Sequence, residues 1–341
     1  MSTAHEQGYL RAESVSDSSI AILAEGIYDV IIAASSWDRR CIEISRATHL
    51  HGTTGILLLF DHKDTRGLRE EHDRRLECFL REACTHFVPL HGDSVKLEQM
   101  WPGLLTEVIK LVPAHQGGLR VLMDLSCLPR YYSLGLLARG ITDGFVHDLT
   151  ILYAEGKYDF DVQPDDAKSF TFGAWRNQPI PSLEGEYDPG KKTHYIVCVG
   201  FEGTKTLRVL TRSEPDRVSI VFPSPGVWPG YENLTREKNK VLFERYKVPE
   251  DQIINVAAGD AIAVWKAMEA KPLERPEQEN CRYLLCGTKP HCLGLALRAL
   301  CLRYPTVLYN VPDEHCEVDI YPTGRYWRYD IRDLSAISPN L

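Results

Sequence analysis

Short apolar runs alternate with amphipathic stretches along the first half of the chain. Runs such as residues 30–34 and 55–60 are almost continuously apolar, which is typical of strands buried on both faces of a sheet. The stretches between them, such as residues 65–83, carry apolar residues at helical spacing. This alternation predicts a Rossmann-like α/β fold, a mostly parallel sheet with helices on both faces. The predicted strands are 29–34, 55–60, 85–90, 119–124 and 149–153, and the predicted helices are 65–83, 95–111 and 132–140.

The same pattern begins again near residue 193. Residues 176–192 are rich in proline, glycine and charge, which is typical of a linker. The second series predicts strands at 194–200, 217–222, 252–256, 282–286 and 306–309, and helices opening at 207 and covering 233–246, 261–270 and 291–301. The predicted organisation is an N-terminal arm (1–20), a first Rossmann-like domain (21–178), a linker (179–192) and a second Rossmann-like domain (193–341).

The two series match in register, which predicts an internal duplication. Four short matches keep their order, with offsets of 164, 167, 159 and 156 residues. Each half also ends in an aromatic strand, at residues 170–172 and 326–329. We therefore expect two related halves that meet at a shared ligand cleft. The matches are Trp37-Asp38 with Phe201-Glu202, Gly92-Asp93 with Gly259-Asp260, Leu134–Leu136 with Leu293–Leu295, and Ile151–Tyr153 with Val307–Tyr309.

Composition narrows the classes of function. A chain of 341 residues is long enough for two domains, and its net charge of −8 argues against wholesale coating of DNA. No apolar run reaches the length of a membrane span, and the polar N-terminus lacks the layout of a signal peptide. The ten cysteines are scattered, which predicts reduced thiols in a cytoplasmic protein. Neither C-x-x-C nor H-E-x-x-H occurs, so no metal site is expected, and no cofactor is predicted.

The sharpest motif is Gly287-Thr288-Lys289, which follows an apolar strand and opens a helix. Ligands of open parallel sheets bind at the carboxyl ends of the strands. A glycine turn, the N–H groups of a helix start, a hydroxyl and an ammonium together suit phosphate or another anion. The alternative is an ordinary turn with a solvated lysine. The spacing of a Walker A loop is absent.

The equivalent loop of the first half runs from Ser126 to Arg130. The Arg130 guanidinium suits a phosphate, while Ser126 is a candidate helix cap. Asp124 ends the preceding strand, where it could accept a hydroxyl group of a ribose or act as a base. Capping of the helix is an equally good interpretation of these polar residues.

The loops after the first strand of each half are the remaining candidates. In both, an aromatic side chain stands beside cations at a strand end, an arrangement that could stack a base and hold its phosphate. The alternative is local packing, with the acid paired to a neighbouring cation. The candidates are Ser35, Ser36, Trp37, Asp38 and Arg39 in the first half, and Phe201, Glu202, Thr204 and Lys205 in the second.

The residues of the 283–297 segment, YLLCGTKPHCLGLAL, resemble a motif of CARF domains, the Rossmann-like nucleotide sensors of CRISPR-linked defence proteins. Several of those domains carry a G-T-K turn, often G-G-T-K, that touches a cyclic oligonucleotide. The resemblance implies ligand contacts at Gly287, Thr288 and Lys289, and it implicates the loops at 201–205 and 35–40. This chain has Cys286 in place of the first glycine, and its first half lacks the G-T-K turn.

Three functions remain open on the sequence. The first is a sensor of a nucleotide-like anion, such as a cyclic oligonucleotide, within bacterial antiviral defence, with a protein partner that carries the effector activity. The second is an enzyme acting on a nucleotide or phosphorylated small molecule, with Asp124, Ser126 or Glu202 as catalytic candidates. A cysteine–histidine nucleophile pair is also conceivable but is not singled out by spacing; the candidates are Cys286 or Cys127 with His91 or His291. The third is a non-catalytic partner subunit of a defence complex.

Overall fold

The chain folds into two compact units, each built on one β-sheet. The computed structural model describes residues 3–7, 10–16, 23–61, 67–114, 117–158, 171–318 and 320–332. The first unit comprises Met1–Pro164 and Glu317–Leu341, and the second comprises Asp165–Cys316.

Fourteen strands are numbered in chain order within the described residues. They are β1 (Thr3–Gln7), β2 (Leu10–Ser16), β3 (Glu25–Ala34), β4 (His49–Phe60), β5 (Cys84–Gly92), β6 (Leu119–Asp124), β7 (Val146–Tyr158), β8 (Thr171–Pro179), β9 (Lys192–Cys198), β10 (Arg217–Pro223), β11 (Ile253–Val256), β12 (Glu279–Leu285), β13 (Thr306–His315) and β14 (Ile320–Arg332).

Helices connect successive parallel strands. The α-helices are α1 (Leu68–Ala83), α2 (Leu97–Ile109), α3 (Arg130–Thr142), α4 (Gly203–Ser213), α5 (Tyr231–Lys238), α6 (Lys240–Tyr246), α7 (Ala261–Ala270) and α8 (Lys289–Leu302). Short 3₁₀ helices cover Arg39–Arg46, Val112–Ala114 and Glu250–Gln252. The single helix predicted at 233–246 is two helices in the structure, because the helical conformation is interrupted at Asn239, between α5 and α6.

Both sheets share one strand order in their parallel parts. The first sheet is ordered β1-β2-β14-β7-β6-β3-β4-β5, and the second β11-β10-β9-β12-β13-β8. Numbered within each half, the parallel strands run 3-2-1-4-5 in both units, the start of the Rossmann order. The predicted fold class is therefore confirmed: an α/β chain with two mostly parallel sheets flanked by helices. The duplication itself stays a prediction.

In each half of the chain, one strand follows the five parallel strands and joins the sheet of the other unit. These strands are β8, which follows β7, and β14, which follows β13. β8 pairs antiparallel with β13 of the second sheet, and β14 pairs antiparallel with β7 of the first. The structure thus groups β14 with the first unit and β8 with the second, whereas the predicted organisation placed residues 320–332 in the second domain and residues 171–178 in the first. Strand pairing outweighs chain order here, since Tyr329 and Ile331 of β14 are fully buried in the first unit. Residue 170 of the predicted aromatic strand lies outside the described residues.

The predicted N-terminal arm also contributes to the first sheet. β2 pairs with β14 and buries Leu10, Ala12 and Ser14 on alternate positions, the period of a strand with one face on the core. β1 pairs with β2 at the sheet edge. Residues 1–2, 8–9 and 17–20 of the predicted arm lie outside the described part of the chain.

The core of each unit lies between its sheet and the helices that cover it. In the first unit it includes Ile31 and Leu57 of the central strands and Leu80 of α1. In the second it includes Val197 of β9 and Leu210 of α4. Among the described residues, no helix has both the length and the apolar character needed to cross a bilayer.

Glu155 of β7 gives the first unit a pH-dependent stability. The side chain is buried and accepts a hydrogen bond of 2.7 Å from Trp327 Nε1. Burial raises the pKa of Glu155 to about 7, although the hydrogen bond from Trp327 and the charge of Arg325 both lower it. A carboxyl with a raised folded-state pKa favours folding fully below its ordinary pKa, and that contribution is lost as pH rises towards 7.

We expect Glu155→Gln to remove this loss. The difference in free energy of unfolding between variant and native protein should change by a few kcal/mol between about pH 4.5 and 7. Urea denaturation across that range measures it. Glu77→Gln, on a solvent-exposed ion pair with Arg81, is the control and should leave the profile unchanged. A parallel pH profile for native protein and Glu155→Gln would contradict the burial of this carboxyl.

Candidate functional site

The strand order places one crevice in each unit. In a 3-2-1-4-5 sheet, the chain leaves strands 1 and 4 in opposite directions, so a crevice forms outside their carboxyl ends. These strands are β3 and β6 in the first unit and β9 and β12 in the second. The residues predicted from the sequence follow these four strands, so the structure brings them to the two crevices.

In the first unit, a buried ion pair occupies the loop after β3. Arg40 donates to both oxygens of Asp38, with Nη2–Oδ2 at 2.6 Å and Nε–Oδ1 at 3.0 Å. Arg40 Nη1 also donates to the carbonyl of Ala154 at 3.3 Å. Asp38 caps the 3₁₀ helix through the backbone N–H of Arg40. The Asp38 carboxylate is therefore used inside the protein, as in the local-packing alternative.

The other predicted residues of this loop differ in exposure. Ser35 is buried, Ser36 and Trp37 are half-buried, and Arg39 is exposed. Ser36 Oγ accepts from the backbone N–H of Asp38 at 3.2 Å. The Arg39 guanidinium lies 5.1 Å from the ring centroid of Tyr321. Of this set, Arg39 is the side chain that offers a charge to solvent.

The polar residues after β6 hold the backbone in place. Asp124 Oδ1 accepts from the N–H of Ser126 at 2.9 Å, and Ser126 Oγ accepts from the N–H of Ala154 at 2.9 Å. Both residues are at most 1% exposed. Arg130 is the first residue of α3 and is half-buried. Asp124 and Ser126 thus hold the backbone, but the predicted helix cap is wrong, because α3 has Pro129 as its N-cap and no side-chain cap bond.

In the second unit, two glycines let the ends of β9 and β12 approach each other. A Cβ atom on Gly200 would lie 2.5 Å from the carbonyl oxygen of Cys286. A Cβ atom on Gly287 would lie 2.8 Å from the carbonyl oxygen of Val199. Since both obstacles are backbone, neither could move away cheaply. The G-T-K glycine is therefore required by the close packing of the two loops at the crevice.

Two helices begin beside these glycines. Gly203 is the first residue of α4, and Lys289 is the first residue of α8. Thr288 caps α8, where its Oγ1 accepts from the N–H of His291 at 3.3 Å and donates to the Ala258 carbonyl at 2.7 Å. The N–H groups at a helix start favour an anion. Lys289 adds a half-buried ammonium at the same helix start.

Two buried asparagines border the same loops. Asn239 Nδ2 donates to the carbonyl of Gly200 at 2.7 Å, and Asn310 Nδ2 donates to Cys286 Sγ at 3.1 Å. These residues are 1% and 7% exposed. Within the described residues, the Oδ1 atom of each has no hydrogen-bond partner. Buried acceptors without a partner are rare, so these two are candidates for a ligand donor.

The predicted residues after β9 are divided between the crevice and β8. The Phe201 ring packs edge-on against Tyr231 with centroids 5.1 Å apart. Glu202 Oε1 accepts from Thr171 Oγ1 at 2.7 Å and from Lys205 Nζ at 3.1 Å. Lys205 also contacts Thr171 Oγ1, and Thr204 is exposed. Glu202 and Lys205 thus tie α4 to β8.

The histidine beside the G-T-K turn is neutral. His291 is fully buried, and its Nε2 lies 3.0 Å from the carbonyl of Ala257. Burial lowers the pKa of His291 to about 4, although backbone hydrogen bonds oppose the shift. An anion at this crevice would therefore be held by backbone N–H groups and Lys289 rather than by imidazolium.

Cavities within the described residues also lie outside the strand-end loops. One of about 310 Å³ in the first unit is lined by residues that include Tyr28, Arg120 and Arg328. One of about 70 Å³ in the second unit lies between β8 and α4, beside Trp175 and Lys205. Among the described residues, no group of three or more histidine, cysteine or acidic side chains is placed to hold a metal ion.

The sequence missed Asn239 and Asn310. Asn310 directly follows the apolar run predicted as the fifth strand of the second half, so a list of all strand ends would have included it. Asn239 lies inside a stretch with an unbroken helical pattern, so the sequence carries no signal for the break. The Gly200–Cys286 approach depends on two segments 86 residues apart and could not be inferred from either alone.

Comparisons with known proteins give no family. No family model matches the chain, and no curated protein matches it. A functionally unknown protein from Pseudomonas aeruginosa is similar over 86% of this chain and 95% of its own, at 12% identity and a TM-score of 0.23. The cytoplasmic domain of a prokaryotic cation chloride cotransporter is similar over 85% and 97%, at 9% identity and a TM-score of 0.24. Such low scores carry neither fold nor function to this chain.

Proposed function

We propose that the second unit binds a nucleotide-like anionic ligand at the crevice between β9 and β12. The observation that carries the proposal is the convergence of two helix starts, at Gly203 and Lys289, on a crevice bordered by two buried amide oxygens. Helix N–H groups and the Lys289 ammonium are suited to the phosphate. The amide oxygens of Asn239 and Asn310 are suited to the amino group of a base.

The polar groups at this crevice favour binding over catalysis. Thr171 donates to Glu202, the arrangement of a nucleophile and its base. However, Thr171 Oγ1 also accepts from Trp175 Nε1 at 3.0 Å and contacts Lys205 Nζ. Both lone pairs of the hydroxyl are then engaged, and an attacking oxygen needs one directed at the substrate. Asp260, the other acid at these strand ends, caps α7 through the N–H of Ala263 at 2.8 Å.

The biological part of the proposal rests on the CARF-like motif. A G-T-K turn at the switch point of a Rossmann-like sheet supports a sensor of a nucleotide such as a cyclic oligonucleotide, acting in bacterial antiviral defence in the cytoplasm. The effector activity would then belong to a protein partner. The identical 3-2-1-4-5 order of the two sheets supports an internal duplication. In this proposal the second crevice kept the ligand site, whereas the loop after β3 in the first unit acquired the Asp38–Arg40 ion pair.

Lys289→Ala tests the site. The full chain is purified, compounds that copurify are identified by mass spectrometry, and thermal shifts are recorded with ATP, cyclic di-AMP and cyclic tetra-adenylate. We expect at least one of these nucleotides to raise the Tm. Loss of a charged hydrogen bond should raise the Kd of Lys289→Ala by about tenfold or more.

The control is Lys240→Ala, which removes an exposed ammonium with only a 3.9 Å ion pair to Glu244. It should bind as the native protein does. Equal affinity in Lys289→Ala and the native protein would remove the site from this crevice. No copurifying nucleotide and no shift with any of the three probes would contradict ligand binding and favour the non-catalytic subunit.

A further inference from the structure

Three side chains from three elements of the first unit form a thiol cluster, in which Cys41 and His72 are buried and Cys127 is half-buried. Cys41 lies in the 3₁₀ helix after β3, His72 in α1, and Cys127 in the loop after β6. Cys41 Sγ lies 3.4 Å from His72 Nδ1. The Cys127 thiol also interacts electrostatically with the Cys41 thiol. The cysteine–histidine pairs that the sequence suggests include neither Cys41 nor His72.

Backbone carbonyls fix the geometry of the cluster. The carbonyl of Ser36 lies 2.7 Å from His72 Nδ1 and 3.4 Å from Cys41 Sγ. The short contact to a carbonyl requires a proton on Nδ1, which therefore faces the Cys41 sulfur as a donor. The carbonyl of Asp38 accepts from the N–H of Cys41 at 3.1 Å and lies 3.9 Å from Cys127 Sγ. Both sulfurs are thus held against one turn of backbone.

The cluster favours a thiolate on one sulfur only. Burial opposes ionisation of Cys41, yet hydrogen bonds from Cys127 and His72 and the charge of His72 hold the pKa of the Cys41 thiol below its ordinary value. Burial also opposes the charge on His72, but Cys41 and the Ser36 carbonyl raise the pKa of His72 to about 9. Burial, with Cys41 next, raises the pKa of Cys127 well above its usual range. The thiolate is the nucleophilic form of cysteine.

We propose that Cys41 and Cys127 form a peroxide-reactive dithiol site, in which Cys41 is oxidised first and Cys127 resolves it. The oxidant is hydrogen peroxide, small enough to enter beside the half-buried Cys127. The Cys41 sulfur attacks one peroxide oxygen, the O–O bond breaks, and the leaving hydroxide takes the His72 proton to form water. The product is a sulfenic acid on Cys41.

The second step closes the cycle. Cys127 sulfur attacks the Cys41 sulfur, the S–O bond breaks, and the hydroxyl leaves as water with the Cys127 proton. Two thiols and one hydrogen peroxide thus give one disulfide and two waters, and two electrons pass from sulfur to oxygen. The disulfide would join the loop after β3 to the loop after β6 across the first crevice.

The second unit contains a matched pair that lacks the histidine. Cys198 Sγ lies 3.6 Å from Cys292 Sγ, and both residues are buried. Burial, followed by hydrogen bonding to Cys292, raises the pKa of Cys198 well above its usual range. These thiols are close enough to pair, and Cys198 Sγ accepts from the backbone N–H of Gly287 at 3.4 Å, yet the pKa of the Cys198 thiol stays raised. If proximity of two thiols were sufficient, both pairs would be oxidised. If activation by His72 is required, the Cys41–Cys127 pair is oxidised and the Cys198–Cys292 pair is not.

The experiment treats the full chain with a small excess of hydrogen peroxide at neutral pH, followed by alkylation and peptide mapping. Trypsin releases Cys41 on residues 41–46 and Cys127 on residues 121–130, so their disulfide gives a distinct linked peptide. We expect that peptide to accumulate while Cys198 and Cys292 stay reduced. In Cys127→Ser, a dimedone adduct should appear on Cys41 instead.

His72→Gln separates activation from proximity. We expect it to slow oxidation of Cys41 about tenfold or more, with the Cys198–Cys292 pair and the Tm reporting that the fold is intact. Equal oxidation of the two pairs, or a reduced Cys41 while the exposed Cys78 is oxidised, would overturn the proposal. So would unchanged kinetics in a folded His72→Gln protein. If His72→Gln does not fold, the dimedone result in Cys127→Ser decides between the outcomes.

Discussion

Asp38→Ala should destabilise the first unit by about 3–5 kcal/mol, the usual cost of removing one partner of a buried ion pair. Arg40 would be left with an uncompensated charge, since its side chain is only 9% exposed. Its remaining contacts are the Ala154 carbonyl at 3.3 Å and the ring of Tyr153. The 3₁₀ helix that begins at Arg39 would also lose its cap. Urea denaturation followed by circular dichroism measures the loss.

A double variant separates the charge from the packing. Asp38→Ala combined with Arg40→Met removes both charges and should recover most of the stability, because a buried pair can be replaced by apolar groups at little cost. Glu77→Ala is the surface control, and it should change stability by about 1 kcal/mol or less. If Asp38→Ala were no more harmful than Glu77→Ala, the Asp38–Arg40 ion pair would not be buried as the structure describes.

Gly200→Ala should destabilise the second unit by about 1–3 kcal/mol through overpacking. The added Cβ meets the carbonyl oxygen of Cys286, and relief requires β9 and β12 to separate at their carboxyl ends. The same movement would displace the starts of α4 and α8, so nucleotide affinity should fall as well. Denaturation and the thermal-shift titration are measured on the same preparation.

Gly103→Ala is the matched control for this substitution. Gly103 lies inside α2, and a Cβ atom there would meet nothing within 4 Å. Because alanine is the better helix former, Gly103→Ala should stabilise the protein by about 0.5–1 kcal/mol. A neutral Gly200→Ala would mean that the loops after β9 and β12 do not approach each other as described.

The parallel parts of both sheets could be predicted from hydrophobic pattern alone. Buried parallel strands are continuous apolar runs, as in residues 30–34 and 55–60, and such runs leave little ambiguity when helices separate them. The antiparallel strands could not be placed in this way. β8 pairs with β13 and β14 pairs with β7, and the sequence alone does not show which sheet each of these strands joins.

The candidate site could also be predicted only in part from the sequence. The G-T-K turn was located because a glycine, a hydroxyl and a lysine follow an apolar strand. The sequence could not show whether Asp38 and Glu202 contact a ligand or pair with a neighbouring side chain, since both roles need an acidic residue beside a cation. The partners that decide, Arg40 and Thr171, are identified by distance. His72 lies 31 residues from Cys41 and carries no motif, so that cluster required the structure.

Hydrogen–deuterium exchange with a bound nucleotide tests the central claim most directly. The full chain is compared with and without whichever of ATP, cyclic di-AMP and cyclic tetra-adenylate gives the largest thermal shift. Binding at the second crevice predicts slower amide exchange at residues 200–206 and 287–292, where α4 and α8 begin. Protection confined to residues 35–41 and 125–131 of the first unit, with no change at 287–292, would contradict it.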